Sequence, residues 1–532
     1  MEPVPEAART LAQPLTLPLL ASREASKAPR RRSATERQIR GSSLLLAGRF
    51  LSKGTNFAVQ VLTVRYLSMT DYGAFAYAMA IVQLGQRIAT CGLDRASTRF
   101  VPIFQERRDY DRMFGTIALV VGTVLALGFS IAVVTQALYP VLAGGVHDQL
   151  KYSLLLVLIF LVPLQALDDL IVGLFAVFAK PRAIFFRRHV LAPALKLAVV
   201  LALVLGHSTV MFLSYGYLVS GLFGVSVYLV MLVQMMRREE LFEHFSIRHL
   251  TVPWREVTAF TVPLLISDLV PIVMNSMSVV ILEQFAGLTE VARLRAQQPI
   301  AATNQLVMFS FATLFTPVAA RMFAAGDRQG LNDLYWRTAM WIAVLSFPIF
   351  ALTFSVATPL THVLLGARYH DSALLLALLS FGYYFNAALG FNGLTLKICG
   401  RFRYVVVISL IVVVLNVAAN LALIPFYGAL GAAIGTSLAM IAHNILKQVG
   451  LRSGTAIATF ERRYVKGYSV IFSVAIGLLL VEWIVRPPVV VGLAMAGLAS
   501  WLVFRLNRDL LHIAGTFPEL TRIPLLKRLL GL

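Results

Sequence analysis

From residue 43 to residue 506 the chain alternates long apolar stretches with short polar connections, and the pattern repeats with few breaks. A helix that crosses the hydrocarbon core of a bilayer needs about 20 mostly apolar residues. Stretches of that length fall at 43–67, 72–95, 114–138, 152–178, 187–206, 210–236, 257–283, 290–321, 336–359, 371–397, 403–424, 428–450, 467–486 and 488–506. The pattern therefore predicts an all-α polytopic membrane protein with about fourteen transmembrane helices.

Composition agrees. Of 532 residues, 58% are hydrophobic and only 14% charged, and the mean hydropathy is +0.76, outside the range of soluble domains. The net charge of +21 would suggest nucleic acid in a soluble protein. In a membrane protein the same excess follows from Lys and Arg collecting in cytoplasmic loops, so no nucleic-acid partner is expected. Residues 1–41, with the run "APRRRSATERQIR", read as a disordered basic cytoplasmic tail. Cys91 and Cys399 are too few for a disulfide framework or a structural zinc site, and both read as free thiols.

The connections alternate in charge. One set carries clusters such as Arg107, Arg108 and Arg112, Lys180 with Arg182, Arg187 and Arg188, and Arg462, Arg463 and Lys466. The other set holds only Lys151, Arg368 and Arg486. By the positive-inside rule both termini are cytoplasmic, in the cell (inner) membrane, which requires an even helix count. The last segment, "RIPLLKRLLGL", is short, basic and apolar and reads as lying on the membrane surface, within a cytoplasmic interfacial tail at 507–532.

Two parts of the chain resemble each other at a nearly constant offset: "GLFAVFAKPR" and "GLTLKICGRF", then "TDYGAFAYA" and "TEVARLRAQ". This suggests a duplicated bundle of six helices. An even-numbered unit gives two parallel repeats, here lobes at 42–240 and 256–452, with two extra C-terminal helices at 464–506. Such a design suits a transporter that rocks two halves around a central site. No H-E-x-x-H, P-loop, G-x-S-x-G or C-x-x-C is present, so neither an enzyme, a metal site nor a cofactor is expected.

Three stretches resemble the Wzx-type polysaccharide flippases of the multidrug, oligosaccharidyl-lipid and polysaccharide exporter superfamily. They are "VRYLSMTDYGAFAYAMAIVQL" with "CGLDRASTRFVPIF", then "FTPVAARMFAAGDRQGLNDLYWR", and finally "CGRFRYVVVISLIVVVLNVAANLALIPFYGALGAAIGTS". The resemblance covers about residues 42 to 505. It implies a two-lobed bundle that moves an undecaprenyl-pyrophosphate-linked oligosaccharide from the inner to the outer leaflet, for surface or exopolysaccharide biosynthesis. Polysaccharide polymerase and glycosyltransferases would be its partners besides the bilayer. Within the third stretch, Asn416 and Asn420 lie one turn apart and read as hydrogen-bonding across helices.

Ionisable groups at bilayer depth cost about 2.5 to 3.5 kcal/mol each and tend to face a cavity. Arg49 and Lys53 lie one helical turn apart on the first helix, about 9 and 15 Å above its start, and Arg87 on the second helix reaches a similar depth. Lys196 is central in the fifth. Against these four cations the first lobe sets Asp168 and Asp169. The excess suits an anionic group, and the pyrophosphate implied by the resemblance is such a group. By motif position the family's essential basic residues fall on Arg49 and Arg87. Snorkelling to the interface is the competing reading of Arg49, and a salt bridge to Asp168 or Asp169 that of Lys196. Asp168, Asp169, Asp268 and Glu283 are the acids available for ion coupling. Arg293 and Arg295 flank the turn after the seventh helix and, two apart, cannot share a face.

Two other cargoes stay open. A cation-coupled multidrug exporter of the same superfamily would favour acids in the first lobe, and a lipid-linked peptidoglycan precursor shares the pyrophosphate. A scaffold for a polysaccharide complex would leave the buried cations without a purpose.

Overall fold

The computed structural model describes residues 34–143, 149–178, 180–453, 455, 457–485 and 488–511. The predicted basic tail up to residue 33 and the interfacial segment after residue 511 lie outside the described residues. The described residues of the fourteen apolar stretches are mainly helical, with breaks such as those at 91–92, 159–160 and 389–391, and no strand occurs among the described residues.

The first half of the chain forms α1 (Ala34–Tyr66), α2 (Met69–Thr90), α3 (Leu93–Glu106), α4 (Tyr110–Ala143), α5 (Gln149–Leu158), α6 (Leu161–Val177), α7 (Pro181–Ile184), α8 (Ala192–Leu205) and α9 (Val210–Arg238). The second forms α10 (Trp254–Ala286), α11 (Leu288–Ala301), α12 (Leu306–Ala324), α13 (Arg328–Ser355), α14 (Ala357–Leu365), α15 (Ala373–Ala388), α16 (Asn392–Ile398) and α17 (Phe402–Arg452). Two further helices, α18 (Arg462–Val485) and α19 (Val489–Leu511), pack outside on α13.

Ten helical segments among the described residues are long and apolar enough to cross a membrane. One of them, α17, has 51 residues, or roughly 76 Å of helix against a hydrocarbon core of about 30 Å. It is a hairpin: Gly428 leaves helical geometry at φ 53° and ψ −131°, and Ala429 starts the returning half by donating its backbone N–H to Glu290 Oε2 at 3.0 Å. A positive φ of this kind suits glycine. The halves are then stitched by Tyr404 Oη donating to the Leu446 carbonyl at 2.7 Å. The helices α1 and α2 fall short of the apolarity that marks a span. Their polar residues Asn56, Gln60, Gln83, Gln86 and Arg87 line an internal cavity rather than lipid.

Two irregularities shape that cavity. Between α7 and α8 the helix widens to a π turn over Phe185–Leu191, where each N–H reaches one residue further back. Between α11 and α12 it tightens to a 3₁₀ turn over Ala302–Gln305. The halves meet along α2, which packs on both α10 and α11. Gly73 makes this approach possible, because a Cβ there would stand 2.0 Å from the Leu288 carbonyl oxygen. Lower on the same seam Ser276 of α10 donates to the Ala80 carbonyl of α2 at 3.0 Å, in the buried interior.

Candidate functional site: a basic cavity between the halves

Two adjoining hollows, of about 500 and 380 Å³, share the walls Asn56, Met79, Gln83, Lys196 and Tyr217 and so form one cavity. The larger is walled by α2, α6, the π turn, α8 and α9, and the smaller reaches Asn275 of α10, Arg295 and Gln298 of α11 and Tyr383 of α15.

Five cations line it: Arg87, Arg187, Arg188, Lys196 and Arg295. The acids on its walls are Asp168 and Asp169. Both are taken by the π turn. Arg187 Nη2 lies 2.6 Å from Asp168 Oδ1, and Arg188 Nη2 lies 3.8 Å from Asp169 Oδ1. Asp169 also accepts from Gln86 Nε2 at 2.8 Å. Arg187 is fixed on every side: Nε donates to the Gly224 carbonyl at 2.8 Å, and the guanidinium lies 5.6 Å from the centre of the Tyr228 ring. A side chain at Gly224 would occupy that place, since a Cβ would stand 2.4 Å from Arg187 Nη2.

The other three cations are in a different situation. Among the described residues no carboxylate comes within 4 Å of Arg87, Lys196 or Arg295. Lys196 Nζ stands 5.7 Å from the Tyr217 ring centre. Arg295 donates from Nη1 to Gln298 Oε1 at 3.0 Å and from Nη2 to the Asn275 carbonyl at 3.5 Å, while its buried Nε has no partner. A buried donor without an acceptor, as Arg295 Nε is, is costly.

Of the residues anticipated from sequence, Arg87, Lys196, Asp168 and Asp169 come together here. The acids are bound by Arg187 and Arg188, so the structure does not contain the ion pair from Lys196 to either of them. Arg49 and Lys53 do not line the cavity. They are exposed and share one face of α1 with the wall residues Asn56 and Gln60, at spacings of four, three and four residues. Lys53 Nζ lies 4.3 Å over the ring of Phe309 on α12.

Glu283 does not line the cavity and forms a buried ion pair with Lys151. The side chain of Asp268 lies outside the described residues. Asn420 donates to Ser278 Oγ of α10 at 2.8 Å and to Asn416 at 3.2 Å, which ties α17 to α10 across the helices. Cys91 and Cys399 are free thiols.

Sequence reasoning missed three residues. Arg187 and Arg188 read as loop charges because they follow Lys180 and Arg182, and the π turn that carries them inward has no composition signal. Arg295 was set aside for its spacing from Arg293. The two do point apart: Arg293 pairs with Glu290 at 2.6 Å, and Arg295 enters the cavity.

The fold is thus a helical membrane bundle with a polar, cation-rich cavity between two packed halves. The family model described as "Polysaccharide biosynthesis protein" matches residues 39–323, and the chain belongs to that family, within the multidrug, oligosaccharidyl-lipid and polysaccharide exporter superfamily. The MatE model matches residues 263–422. It is a multi-pass membrane transporter and not an enzyme. An uncharacterized membrane protein of Methanocaldococcus jannaschii is 21% identical over 428 residues, 76% of this chain and 82% of that protein. The fold is similar to that of the lipid II flippase MurJ in an inward closed conformation, with a TM-score of 0.66 at 13% identity over 88% of this chain and 99% of that one. It is also similar to an inward-facing multidrug transporter of the MATE family, with a TM-score of 0.62 at 15% identity over 76% of this chain and 94% of that one.

Proposed function

We propose that this transporter flips a polyprenyl-pyrophosphate-linked oligosaccharide between leaflets by alternating access of two lobes, in the service of surface polysaccharide synthesis. The observation that carries the reading is the trio Arg87, Lys196 and Arg295, which face one cavity and have no carboxylate within 4 Å among the described residues. A pyrophosphate supplies the acceptors they lack: arginine takes phosphate oxygens bidentately, and lysine acts as a mobile point charge. The glutamines at 83, 86 and 165 on the same wall offer amide acceptors and donors to sugar hydroxyls next to the diphosphate. Arg49 and Lys53, on the approach along α1, attract the anion before it enters.

The lipid has a matching place. A pocket of about 460 Å³ with an almost wholly apolar lining lies across α1 from the cavity, between Phe57, Ile300, Leu352, Leu360 and, on α19, Val489 and Leu493. Phe57 and Asn56 are neighbours in the chain, so the polar hollow and the apolar one lie against adjacent faces of α1.

A cationic drug is a poor fit to a cavity whose carboxylates are already paired with arginines. Reconstitution into vesicles with a fluorescent polyprenyl-pyrophosphate oligosaccharide tests the reading, with the peptidoglycan precursor and a cationic dye as parallel cargoes. Protein-dependent movement of the glycolipid is expected. Movement of the dye alone would overturn the proposal, and preference for the peptidoglycan precursor would reassign the cargo.

A further inference from the structure

Three groups of contacts join the two halves of the chain at the end of the bundle that holds the C-terminus of α1 and the N-terminus of α5. The first is Lys151 of α5 with Glu283 of α10, whose side chains are only 5% and 7% exposed. Tyr77 of α2 and Tyr152 close over the ammonium, with ring centres 5.9 and 5.0 Å from Nζ. The second is reciprocal. Arg65, in the last turn of α1, donates from Nη2 to the Val363 carbonyl in the last turn of α14 at 2.8 Å. Arg368, just past α14, donates back to the Arg65 carbonyl at 2.6 Å and to the Leu67 carbonyl at 3.1 Å. The third is the backbone approach of Gly73 to Leu288.

Each piece has a physical reason to hold. The last four carbonyls of a helix lack partners within it and carry the negative end of the helix dipole. Each arginine therefore caps the C-terminus of a helix in the opposite half, and neither cap survives if the halves part. A buried ion pair is different in kind. Its two charges have already lost their water, so separating them without rehydration is strongly unfavourable, whereas a gap wide enough to admit water restores their solvation. Such a joint favours two positions, fully shut or fully open, over intermediate ones.

We propose that Lys151, Glu283, Arg65 and Arg368 form a latch that holds this end of the transporter closed, and that its release exposes the cavity on this side of the membrane. None of the four latch residues lines the cavity. They act on transport by setting the balance between states, as positioning residues. The proposal rests on the two-lobed transport reading but not on the identity of the cargo.

The test is side-specific labelling. In a chain with Cys91→Ser and Cys399→Ser, Asn56→Cys places one thiol on the cavity wall, and a membrane-impermeant maleimide is added to sealed vesicles of either orientation. Parent protein should label slowly from the latch side. Glu283→Gln, Lys151→Met and Arg368→Ala should each raise that rate at least tenfold without raising it from the other side. The exchanged pair, Lys151→Glu with Glu283→Lys, should return it toward the parent. Unchanged rates in Glu283→Gln and Arg368→Ala, both monodisperse in detergent, would overturn the latch. An equal rise from both sides would overturn it too, since that is general loosening. An exchanged pair that labels like the single variants would remove Lys151 and Glu283 from it. Labelling needs no cargo: glycolipid movement with no latch effect sinks the latch alone, and the reverse sinks the cargo reading alone.

Discussion

Arg295→Gln separates a ligand-binding cation from a structural one. Arg295 has one good hydrogen bond, to Gln298, one at the limit of length, and a buried Nε with none. Losing the good bond costs about 0.5 to 1.5 kcal/mol, while removing an unpaired cation from membrane depth relieves up to about 2.5 to 3.5 kcal/mol on insertion scales. Stability should therefore hold or rise by about 1 to 3 kcal/mol. Binding should move the other way. A charge-assisted hydrogen bond contributes about 1.5 to 3 kcal/mol, and at 1.36 kcal/mol per decade its loss weakens pyrophosphate-lipid binding roughly 10- to 150-fold. The two quantities are read on one sample, by thermal unfolding in detergent and by competition of a pyrophosphate lipid against a fluorescent analogue. A variant that unfolds several degrees earlier while binding cargo normally would refute the reasoning and make Arg295 part of the scaffold.

The remaining predictions follow the same division. Asp168→Asn leaves Arg187 buried without its carboxylate and should cost about 3 to 5 kcal/mol of stability; the double variant with Arg187→Met should recover most of it, as thermal unfolding will show. Gly73→Ala sets a Cβ against the Leu288 carbonyl and forces α2 from α11, so it should raise cavity labelling from the latch side as Glu283→Gln does. Arg49→Ala with Lys53→Ala removes charge from the approach rather than the cavity. It should lower capture at low cargo several-fold and leave the saturated rate within about twofold, with the deficit shrinking as salt screens the parent protein; an equal loss at saturation would place both residues in the site.

The legible part of the fold was the part set by apolar patterning. Spans, loops and the turn at Gly428 follow from runs of Leu, Val, Ala and Ile broken by Gly, Pro and charge, and the described residues of those runs are mainly helical. The cavity was legible by its anomalies: Arg87, Lys196, Asp168 and Asp169 stood out because charge at bilayer depth is expensive. What patterning could not supply was partnership. Lys151 looked like an ordinary loop charge near a helix start, and only tertiary packing sets it against Glu283, 132 residues away. Arg187 and Arg188 looked like interface charges because a helix with regular spacing would have kept them near Lys180. The π turn rotates them onto the acids of α6 instead.

That rotation changes what the acids are for. In the sequence, Asp168 and Asp169 offset part of the cationic excess and competed with cargo for Lys196. In the fold they are paired with two arginines from a neighbouring turn, so on the proposed reading the cations left for a ligand, among the described residues, are Arg87, Lys196 and Arg295. Two of these stand in the first half of the chain and one in the second. A dianion that engages all three must therefore bridge the halves, and its departure removes that bridge. If both proposals hold, cargo in the cavity and the proposed latch on the same seam act on one equilibrium between the halves, which is the coupling that alternating access requires.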